Sequence, residues 1–366
     1  MNTYEVLLKS PVSKTFRCQK AANSLDIDVE KKSIHHLKIT ADLTTDFNVG
    51  LIIGSSGSGK TTLAKKIFGE DVFVSDLDET KPIIEQFPES MNYEECAILL
   101  NGVGLTSVPC WIRPVYTLSN GQKSRAEIAL LLSKEKEMIA ADEWTSVVDR
   151  TVAKVMSHCV QKMARRQNKK VVLNSCHYDV IEWLNPCWII DCNKEKFIDR
   201  RSLWRDFKRE EKLEFEIREC DRSTWKMFSK YHYLSEKLPG GHIETYGLFH
   251  KDEQIGFQCF ANYVPWRKGT MKQMHSNRTV VHPDYAGLGL GIHIINDTSK
   301  LMKSRGFDVR AKFSSTPVYK AFCKFPNVWE LKEVKRVLKT TIGGNMKRNG
   351  GFREKVKTYS YKYIGQ

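Results

Sequence analysis

The N-terminal part of the chain is defined by Gly54-Ser55-Ser56-Gly57-Ser58-Gly59-Lys60-Thr61-Thr62. An apolar run, Val49–Ile53, precedes this stretch, and a helix-like sequence, 63–67, follows it. Strand, glycine-rich loop and helix in this order are typical of a phosphate-binding loop, whose backbone N–H groups point at a β-phosphate. Lys60 would reach the β- and γ-phosphate oxygens, and Thr61 would complete the shell of a magnesium ion. The sequence therefore predicts a site for ATP and Mg²⁺, with contacts from Gly54, Ser55, Gly57, Gly59, Lys60, Thr61 and Thr62.

Length, cysteine placement and hydropathy limit the class of protein. The 366 residues exceed the roughly 250 that a single hydrophobic core usually reaches, so two domains are expected. Ten cysteines are scattered without a CxxC pair, which argues against a zinc cage or a secreted disulfide framework. The N-terminus has no secretory pattern, and no apolar stretch approaches the ~20 residues of a membrane helix. We expect a cytoplasmic protein without a membrane partner.

The net charge of +15 is distributed unevenly along the chain. Residues 1–200 hold 26 basic and 26 acidic side chains, so the whole excess lies in residues 201–366. This asymmetry favours a polyanionic partner for the C-terminal part, because each phosphate neutralised by Lys or Arg releases a condensed counterion. A generally solubilising surface is the alternative, since runs of charge usually form solvated faces.

Four further segments follow the phosphate-binding loop in sequence order. They are Leu118-Ser119-Asn120-Gly121-Gln122, a strand pattern at 137–143 that ends in Asp142 and Glu143, Ser146-Val147-Val148-Asp149, and a strand pattern at 171–177 that ends in His177. Together with the loop, they resemble the ABC-type ATPases over about residues 40–195. A transporter is not expected, because the sequence has no membrane segment and little room for a helical subdomain between Gln86 and Ser119.

The resemblance implies a role for each matching residue at the phosphates. Asp142 would hold the magnesium shell through water, and Glu143 would polarise the attacking water as general base. His177 would contact the γ-phosphate. Gln86 is the candidate for the family's glutamine at the metal, where it would join Thr61 and Asp142.

The segment around Ser119 implies a dimer. Ser119, Gly121 and Gln122 match the LSGGQ signature, which in this family contacts the γ-phosphate bound by the opposite subunit. Asn120 replaces the first glycine of the signature, and Asn enters left-handed conformations more readily than most residues with a side chain. The family mechanism thus implies a homodimer, at least transient, with two ATP molecules between its subunits.

The chain changes character near residue 210. Residues 193–214 are dense in alternating charge and predict a solvated, partly helical connector. We therefore expect domains at 1–205 and 206–366. In the second, 215–218 predicts a strand, 221–234 a helix, and 245–250 with 254–261 a hairpin.

Residues 276–295 carry the chemistry of the C-terminal part. A β-branched strand pattern leads into a Pro-Asp turn, a glycine-rich loop and an apolar helix, which offers unpaired N–H groups to a pyrophosphate. The hairpin predicted before the loop argues against a dinucleotide fold. The pattern resembles motif A of the GNAT acyltransferases, with Gly287, Gly289 and Gly291 at the positions that bind coenzyme A. Ala286 stands where that family usually has Arg or Gln. The implied donor is an acyl-CoA, with acetyl-CoA expected.

Further residues are candidates for the transfer step. Residues 309–313 predict the next strand and 317–322 the next helix. Tyr319 in that helix matches the tyrosine with which GNAT enzymes often protonate the departing thiolate, and packing is its alternative role. Glu244 and His275 are both open as general base.

The acceptor is suggested by residues 230–239. His232 and Tyr233 lie in a segment similar to that of a GNAT-like branch that includes the Mom-type DNA-modifying enzymes of bacteriophages. Aromatic side chains among Lys and His could stack on an extruded base, or they could pack on the sheet. Arg278 would add a cation to this acceptor site.

We therefore predict an α/β protein in which an ABC-type P-loop ATPase domain precedes a GNAT-like α+β domain with a central mixed sheet. The leading hypothesis is transfer of an acyl group to an amine of a nucleic-acid base, DNA before RNA, gated by ATP-driven dimerisation. The alternatives are an ATP-switched nucleic-acid binder with a non-catalytic GNAT-like domain, and an acyltransferase for a protein or a small amine.

Overall fold

The computed structural model describes residues 1–9, 13, 15–24, 34–73, 75–200, 213–232, 237–263, 271–340 and 353–365. The chain forms two compact units, Met1–Pro88 with Arg113–Glu210, and Glu89–Ile112 with Glu211–Gln366. The second unit thus includes a segment, 89–112, that lies within the sequence of the first. The domain boundary at residue 205 stays a prediction.

The first unit contains two sheets. Strands β1 (Asn2–Lys9) and β2 (Ile34–Ala41) form an antiparallel pair. The larger sheet contains β3 (Val49–Ile53), β4 (Met138–Ala141), β5 (Lys170–Ser175), β6 (Trp188–Asp191) and β7 (Lys196–Asp199) in the spatial order β4-β5-β3-β6-β7. Only β7 runs antiparallel to its neighbour. The carboxyl ends of β4, β5 and β3 therefore meet at one edge of the sheet, where ligands of open α/β sheets bind.

Seven helices lie before residue 200 in the described part of the chain, five in the first unit and two, within 89–112, in the second. They are α1 (Phe16–Ser24), α2 (Lys60–Phe68), α3 (Tyr93–Gly102), α4 (Val108–Trp111), α5 (Asn120–Ser133), α6 (Arg150–Gln167) and α7 (Val180–Leu184). Polar side chains cap α5 and α6, where Ser119 accepts from the N–H of Gln122 and Asp149 from that of Val152. Among the described helices, none combines the length and apolarity needed to cross a membrane.

The core of the first unit is organised around Trp188 on β6. Its fully buried indole meets Phe47 edge-on at 5.2 Å between ring centroids and stacks on Phe68 at 6.1 Å. Phe68 is the last residue of α2, so Trp188 fixes the far end of the helix that begins at Lys60. Gly50 on β3 makes this packing possible, because a Cβ there would lie 2.1 Å from Trp188 Cζ2.

The second unit has a seven-stranded mixed sheet in the order β13-β14-β12-β11-β10-β9-β8. Its strands are β8 (Glu216–Glu219), β9 (Ile243–His250), β10 (Glu253–Ala261), β11 (Gln273–Val281), β12 (Asp308–Phe313), β13 (Trp329–Thr340) and β14 (Arg353–Tyr363). Its helices are α8 (Trp225–Phe228), α9 (Leu290–Ser304) and α10 (Thr316–Phe322). Only the pair β11–β12 is parallel. The predicted fold class, α/β followed by α+β with a central mixed sheet, is confirmed.

The parallel pair separates along its length. β11 and β12 are paired from Gln273↔Asp308 to Ser276↔Ala311, and farther along β11 residues 278–281 pair only with β10. A 3₁₀ turn at 283–285 joins this half of β11 to the glycine-rich loop. A gap therefore opens between two neighbouring strands on the side of the loop.

A bulge lies where the separation begins. Cys259 pairs with Arg278 and Phe260 with Ser276, which leaves Asn277 as an extra residue in β11. The bulge changes the face on which β11 side chains lie: Met274 packs in one cluster with Phe260, whereas Val280 packs in another with Cys259.

Two expectations for local structure were wrong. Residues 196–199, placed in the connector, form strand β7, because the turn after Asp191 returns the chain along β6. Of the helix expected over 221–234, residues 221–232 are described, and they contain only the four-residue α-helix α8, flanked by 3₁₀ turns at 222–224 and 229–231. Residues 233–234 lie outside the described residues. Asp221 begins this segment with a hydrogen bond from the N–H of Ser223, an arrangement that competes with a continuous helix.

We expect Gly50→Ala to destabilise the first unit by about 1–3 kcal/mol, since the added methyl group overlaps the Trp188 ring and forces the packed core apart. Urea unfolding followed by tryptophan fluorescence measures the change. Gly240→Ala is the control, because its Cβ would meet no heavy atom within 4 Å. Equal stability of the two variants would contradict the role assigned to Gly50.

Candidate functional site

Lys60 is the most constrained residue of the phosphate-binding loop. Its ammonium group is only 4% exposed and donates to the carbonyl oxygens of Gly54 and Ser55, both at 3.0 Å. It also forms an ion pair with Glu143, with 3.1 Å between Nζ and Oε1. The predicted loop lysine and the predicted general base are therefore direct neighbours in this structure.

The loop has room and unsatisfied donors for a phosphate. Gly57 and Gly59 adopt positive φ angles of 79° and 89°, which bring successive N–H groups to one side of the loop. A Cβ on Gly57 would meet no heavy atom within 4 Å, so the space beside it is open. The buried hydroxyl of Ser58 has no partner among the described residues. A bound phosphate would supply the missing acceptors.

Asp142 and Thr61, both predicted at the magnesium ion, are in direct contact. Thr61 Oγ1 donates to Asp142 Oδ2 at 2.5 Å, and Asn174 Nδ2 donates to Asp142 Oδ1 at 3.2 Å. Among the described residues, no cluster of three His, Cys, Asp or Glu side chains could hold a metal by itself. This is compatible with Mg²⁺, which binds through one or two protein groups together with phosphate oxygens and water.

Gln86 is placed differently from these two residues. Its side-chain Oε1 accepts from the N–H of Asp78 at 2.8 Å, and its Nε2 donates to the carbonyl oxygens of Asp78 and Lys81 at 2.8 and 3.1 Å. The Gln86 side chain is therefore bonded to the backbone of the loop that precedes it. A metal role for Gln86 stays a prediction and would require these hydrogen bonds to break.

Glu143 has a constrained backbone. Its φ angle of 45° lies in the left-handed region, which is uncommon for a residue with a side chain and recurs at functional sites. The next turn holds it there, because Ser146 donates to the Glu143 carbonyl oxygen through both its N–H, at 2.9 Å, and its hydroxyl, at 2.7 Å. The thiol of Cys176 lies beside Glu143. Burial is the main cause that raises the pKa of Cys176, and the negative charge of Glu143 raises it further.

Hydrogen bonds hold the segment that contains the predicted switch histidine, His177. Its own N–H donates to Ser175 Oγ at 3.1 Å. Tyr178 donates to the buried carboxylate of Asp191 at 2.9 Å and accepts from Asn193 at 3.2 Å. Asn193 in turn accepts from the N–H and the hydroxyl of Ser55, at 3.1 and 2.9 Å. A continuous network thus joins the segment after β5 to the phosphate-binding loop.

A second connection runs from the same segment to helix α6. Asp179 accepts from Arg150 Nε at 2.8 Å and also pairs with its Nη2. The guanidinium lies 5.1 Å from the centre of the Trp183 ring, on which Lys154 packs at 5.8 Å. Since Asp149 caps α6, the Arg150–Asp179 pair fixes the predicted D-loop relative to His177.

The predicted signature residues lie at the start of α5. Ser119 and Gln122 form a reciprocal capping box, in which the Gln122 side chain accepts from the N–H of Ser119 at 3.2 Å. Gly121 is in the first turn, and a Cβ there would lie 3.4 Å from Val152. The capped helix presents N–H groups at its N-terminus, an arrangement suited to an anion.

The second glycine-rich loop forms a comparable N-terminus in the second unit. Gly287 and Gly289 have φ angles of 91° and 82°, and Gly289 is the N-cap of the 15-residue helix α9. No side chain caps this helix, and a Cβ on Gly289 or Gly291 would meet no heavy atom within 4 Å. An open cradle at the positive end of a helix dipole fits a pyrophosphate.

Tyr319 lies on α10, which follows β12 on the other side of the gap. Its ring stacks on Tyr359 at 4.1 Å between centroids. A hydrogen bond with the exposed thiol of Cys323 raises the pKa of Tyr319. The phenol therefore keeps its proton at neutral pH, as a general acid must, although stacking also satisfies the packing interpretation.

The acceptor residues are only partly described. Tyr233 lies outside the described residues. Burial lowers the pKa of His232 to about 4, and the positive charge of Arg278 contributes to this shift. The His232 ring meets Trp225 edge-on at 5.6 Å, and the buried Nε of Arg278 has no partner in the described part of the chain.

The two open candidates for the general base differ in availability. Glu244 pairs with His242 at 3.1 Å and with Arg305 at 3.5 Å, so both of its carboxylate oxygens are engaged. His275 lies on the paired half of β11, with its ring 5.2 Å from that of Tyr263. Burial is the main cause that lowers the pKa of His275, and the positive charge of Arg310 lowers it further. The imidazole is therefore neutral at pH 7.

Sequence reasoning missed Asn174, Asn193 and the Arg150–Asp179 pair. Asn174 carried a signal, since it is a polar residue within the apolar strand pattern 171–174. The other three lie in loops or at helix ends, where a polar residue is ordinary and carries no information by itself.

No family model matches the chain. The N-terminal part is similar to the energy-coupling factor transporter ATP-binding protein EcfA1 of Leuconostoc mesenteroides, with 25% identity over 199 residues that cover 43% of this chain and 73% of the relative. It is also similar to the aliphatic sulfonates import ATP-binding protein SsuB of Delftia acidovorans, with 28% identity over 39% of this chain and 68% of the relative. The similarity of the N-terminal part to ABC-type ATPases is thus supported by sequence.

The solved structures include one similar to the C-terminal part. The ribosomal-protein-S18-alanine N-acetyltransferase from Escherichia coli has 11% identity and a TM-score of 0.31, over 42% of this chain and 96% of that protein. The assignment of the second unit therefore depends on its own mixed sheet, gap and glycine-rich loop.

We expect His232 to titrate near pH 4 instead of near its usual value of about 6.5. Between these two values the unfolded chain binds a proton that the folded chain does not, so this residue lowers stability as the pH falls through the window. NMR of histidine-labelled protein measures the midpoint, with the His232 signal identified by its loss in His232→Gln. A midpoint near 6.5 would show that the ring is solvated and not in the buried setting described.

Proposed function

We propose that the chain is an ATP-hydrolysing ABC-type protein whose second domain transfers an acyl group from acyl-CoA to an amine, with a nucleic-acid base as the preferred acceptor. One observation carries the acyltransferase half. The gap between β11 and β12 opens directly before an uncapped, glycine-lined helix N-terminus. A thioester arm could lie in the gap while its pyrophosphate binds the helix end.

The ATP half follows from the pairing of Lys60 and Glu143. In the structure the Glu143 carboxylate is engaged in an ion pair with the Lys60 ammonium group. Phosphate oxygens entering the loop would compete for Lys60 and release Glu143. The freed carboxylate could then orient a water molecule for attack at the γ-phosphate, with His177 on the same edge of the sheet.

Mg²⁺, when bound, would neutralise the charge that develops on the phosphate oxygens. Thr61, through its hydroxyl group, and Asp142, through water, are the residues that would hold it, since they already share a hydrogen bond.

We expect Glu143→Gln to lower the rate of ATP hydrolysis by about 10²–10⁴-fold, because a general base contributes on this order. Binding of ATP should persist, since the amide is nearly isosteric. Phosphate release and the binding of a fluorescent ATP analogue measure the two properties. Undiminished hydrolysis would exclude Glu143 as the base. Glu137→Gln is the matched control, because it removes an exposed carboxylate, paired with Lys170, at the other end of β4.

Acyl transfer would use the residues around the gap. His275, neutral at pH 7, could take the proton of the attacking amine, and Tyr319 could return one to the departing thiolate. The positive end of α9 would hold the donor throughout.

The acceptor is assigned from the charge and the aromatic side chains of the second domain. A neutral His232 cannot form an ion pair with a phosphate, but it can donate a hydrogen bond to the edge of a base or accept one from it. The unpartnered Arg278 Nε supplies a second donor in the same region. The charge excess of residues 201–366 would hold the backbone of the nucleic acid.

ATP would gate this reaction through dimerisation. The capped signature helix and the phosphate-binding loop belong to one chain, so two chains arranged head to tail would complete two ATP sites. Bound ATP would stabilise such a homodimer, and hydrolysis would release it.

The modification itself is tested by mass spectrometry of nucleosides from DNA and RNA of cells that produce the protein. We expect a new acylated nucleoside, lost in Gly289→Glu, whose carboxylate opposes the pyrophosphate, and reduced in Lys60→Ala. Gly306→Glu is the matched control, because Gly306 has a similar φ angle of 88° and equally open space at the other end of α9. Loss in both glycine variants would point to misfolding instead.

A second function is favoured by the ion pairs of Glu244 with Arg305 and His242. Because these pairs engage Glu244, only one of the two candidates for general base, His275, remains. The second domain would then be a binding platform for nucleic acid, switched by ATP. ATP-dependent DNA affinity without turnover of acetyl-CoA would establish it. Turnover that is insensitive to nucleic acid would instead indicate a protein or a small amine as acceptor.

A further inference from the structure

Asn174 occupies the central position at the carboxyl edge of the first sheet. It lies on β5, between β4, which leads to Asp142, and β3, which leads to the phosphate-binding loop. The register pairs Ala141 with Leu173 and Ile52 with Asn174. Asn174 is therefore one residue beyond the last pair with β4, directly beside Asp142.

The orientation of the Asn174 amide is fixed by chemistry. An ionised carboxylate can only accept hydrogen bonds, so the atom 3.2 Å from Asp142 Oδ1 must be the donor Nδ2. The other oxygen of Asp142 accepts from Thr61 at 2.5 Å. Both carboxylate oxygens are thus held, one by a residue at the phosphate-binding loop and one by the strand between the loop and Asp142.

The remaining atom of the amide is unsatisfied. Asn174 is fully buried, and its Oδ1 has no hydrogen-bond partner among the residues described. A buried acceptor without a donor is costly, and such groups in native structures usually serve a ligand or a water. An apolar residue, like the preceding Val172 and Leu173, would avoid that cost at this position.

We propose that Asn174 is a positioning residue for the magnesium shell at Asp142. Its N–H group holds the carboxylate in place when Thr61 turns to the metal, and its Oδ1 accepts from a water of the metal shell. The inference rests on the proposed ATP site but assigns it a residue that neither the loop nor the strand motifs predict. Residues in this outer position change metal affinity when they are replaced.

The test compares the affinity of the full chain for a fluorescent ATP analogue with Mg²⁺ and with EDTA. For Asn174→Leu, we expect the Kd with Mg²⁺ to rise at least about 10-fold and the Kd in EDTA to stay within about twofold, since losses of 10–100-fold are typical of such outer partners. The Mg²⁺ concentration for half-maximal binding should rise in parallel. Asn174→Thr provides a second, smaller replacement if the leucine variant does not fold.

The buried control is Ser157→Ala, which removes a fully buried hydroxyl that donates within α6. It should leave the Mg²⁺-dependent affinity unchanged. A double-mutant cycle adds a readout that a merely structural role would not move. If Asn174 acts through Asp142, the effects of Asn174→Leu and Asp142→Asn on the Kd with Mg²⁺ should be clearly less than additive.

Each outcome separates the two proposals. Equal changes of Kd with Mg²⁺ and in EDTA, or additive effects in the cycle, would overturn the role of Asn174 while the ATP site stands. A wild-type chain that binds no ATP, or binds it equally well in EDTA, would overturn the proposed MgATP site and with it this role.

Discussion

The nucleotide half of the structure depends on a buried cation at the edge of a parallel sheet. The ammonium group of Lys60 is removed from solvent and compensated by two carbonyl oxygens of its own loop and by Glu143. Because an uncompensated buried charge is strongly unfavourable, the loop after β3 and the segment after β4 cannot be arranged independently. The same ion pair that stabilises the protein without nucleotide is the one that a phosphate would replace.

Much of the carboxyl edge of the first sheet could be predicted from sequence, because short local sequence patterns mark its residues. Lys60 lies in a short sequence pattern of its own, and the resemblance to ABC-type ATPases, carried by equally short segments around Ser119 and Asp142, implies the roles of Ser119, Asp142 and Glu143. The partners that hold these residues could not be predicted, because Asn193 reaches Ser55 across 138 positions, a separation at which no local pattern acts. Asn174 differs from these, since a polar residue inside an apolar strand is itself a local signal.

The second unit shows where such prediction ends. The glycine-rich loop and helix α9 follow from composition, but the separation of β11 from β12 depends on pairing between strands far apart in sequence. The weak helix signal at 221–234 was misjudged, because Asp221 and Ser223 favour a turn over a helix. Residues 196–199 likewise lie in a stretch of alternating charge that resembled a connector. They form the edge strand β7, in which one face is solvated.

The single extra residue at Asn277 has a consequence for how this part of the chain can evolve. Ser276 and Arg278 pair with Phe260 and Cys259, which are adjacent in β10 and so lie on opposite faces of the sheet. Without Asn277 the two residues would be adjacent in β11 as well, so they would keep these partners, and Val280 would stay on the face opposite Met274. A regular strand of unchanged length would instead bring Arg278 and Val280 to the face of Met274. Related chains should therefore be able to lose the extra residue without exchanging the two faces of the strand.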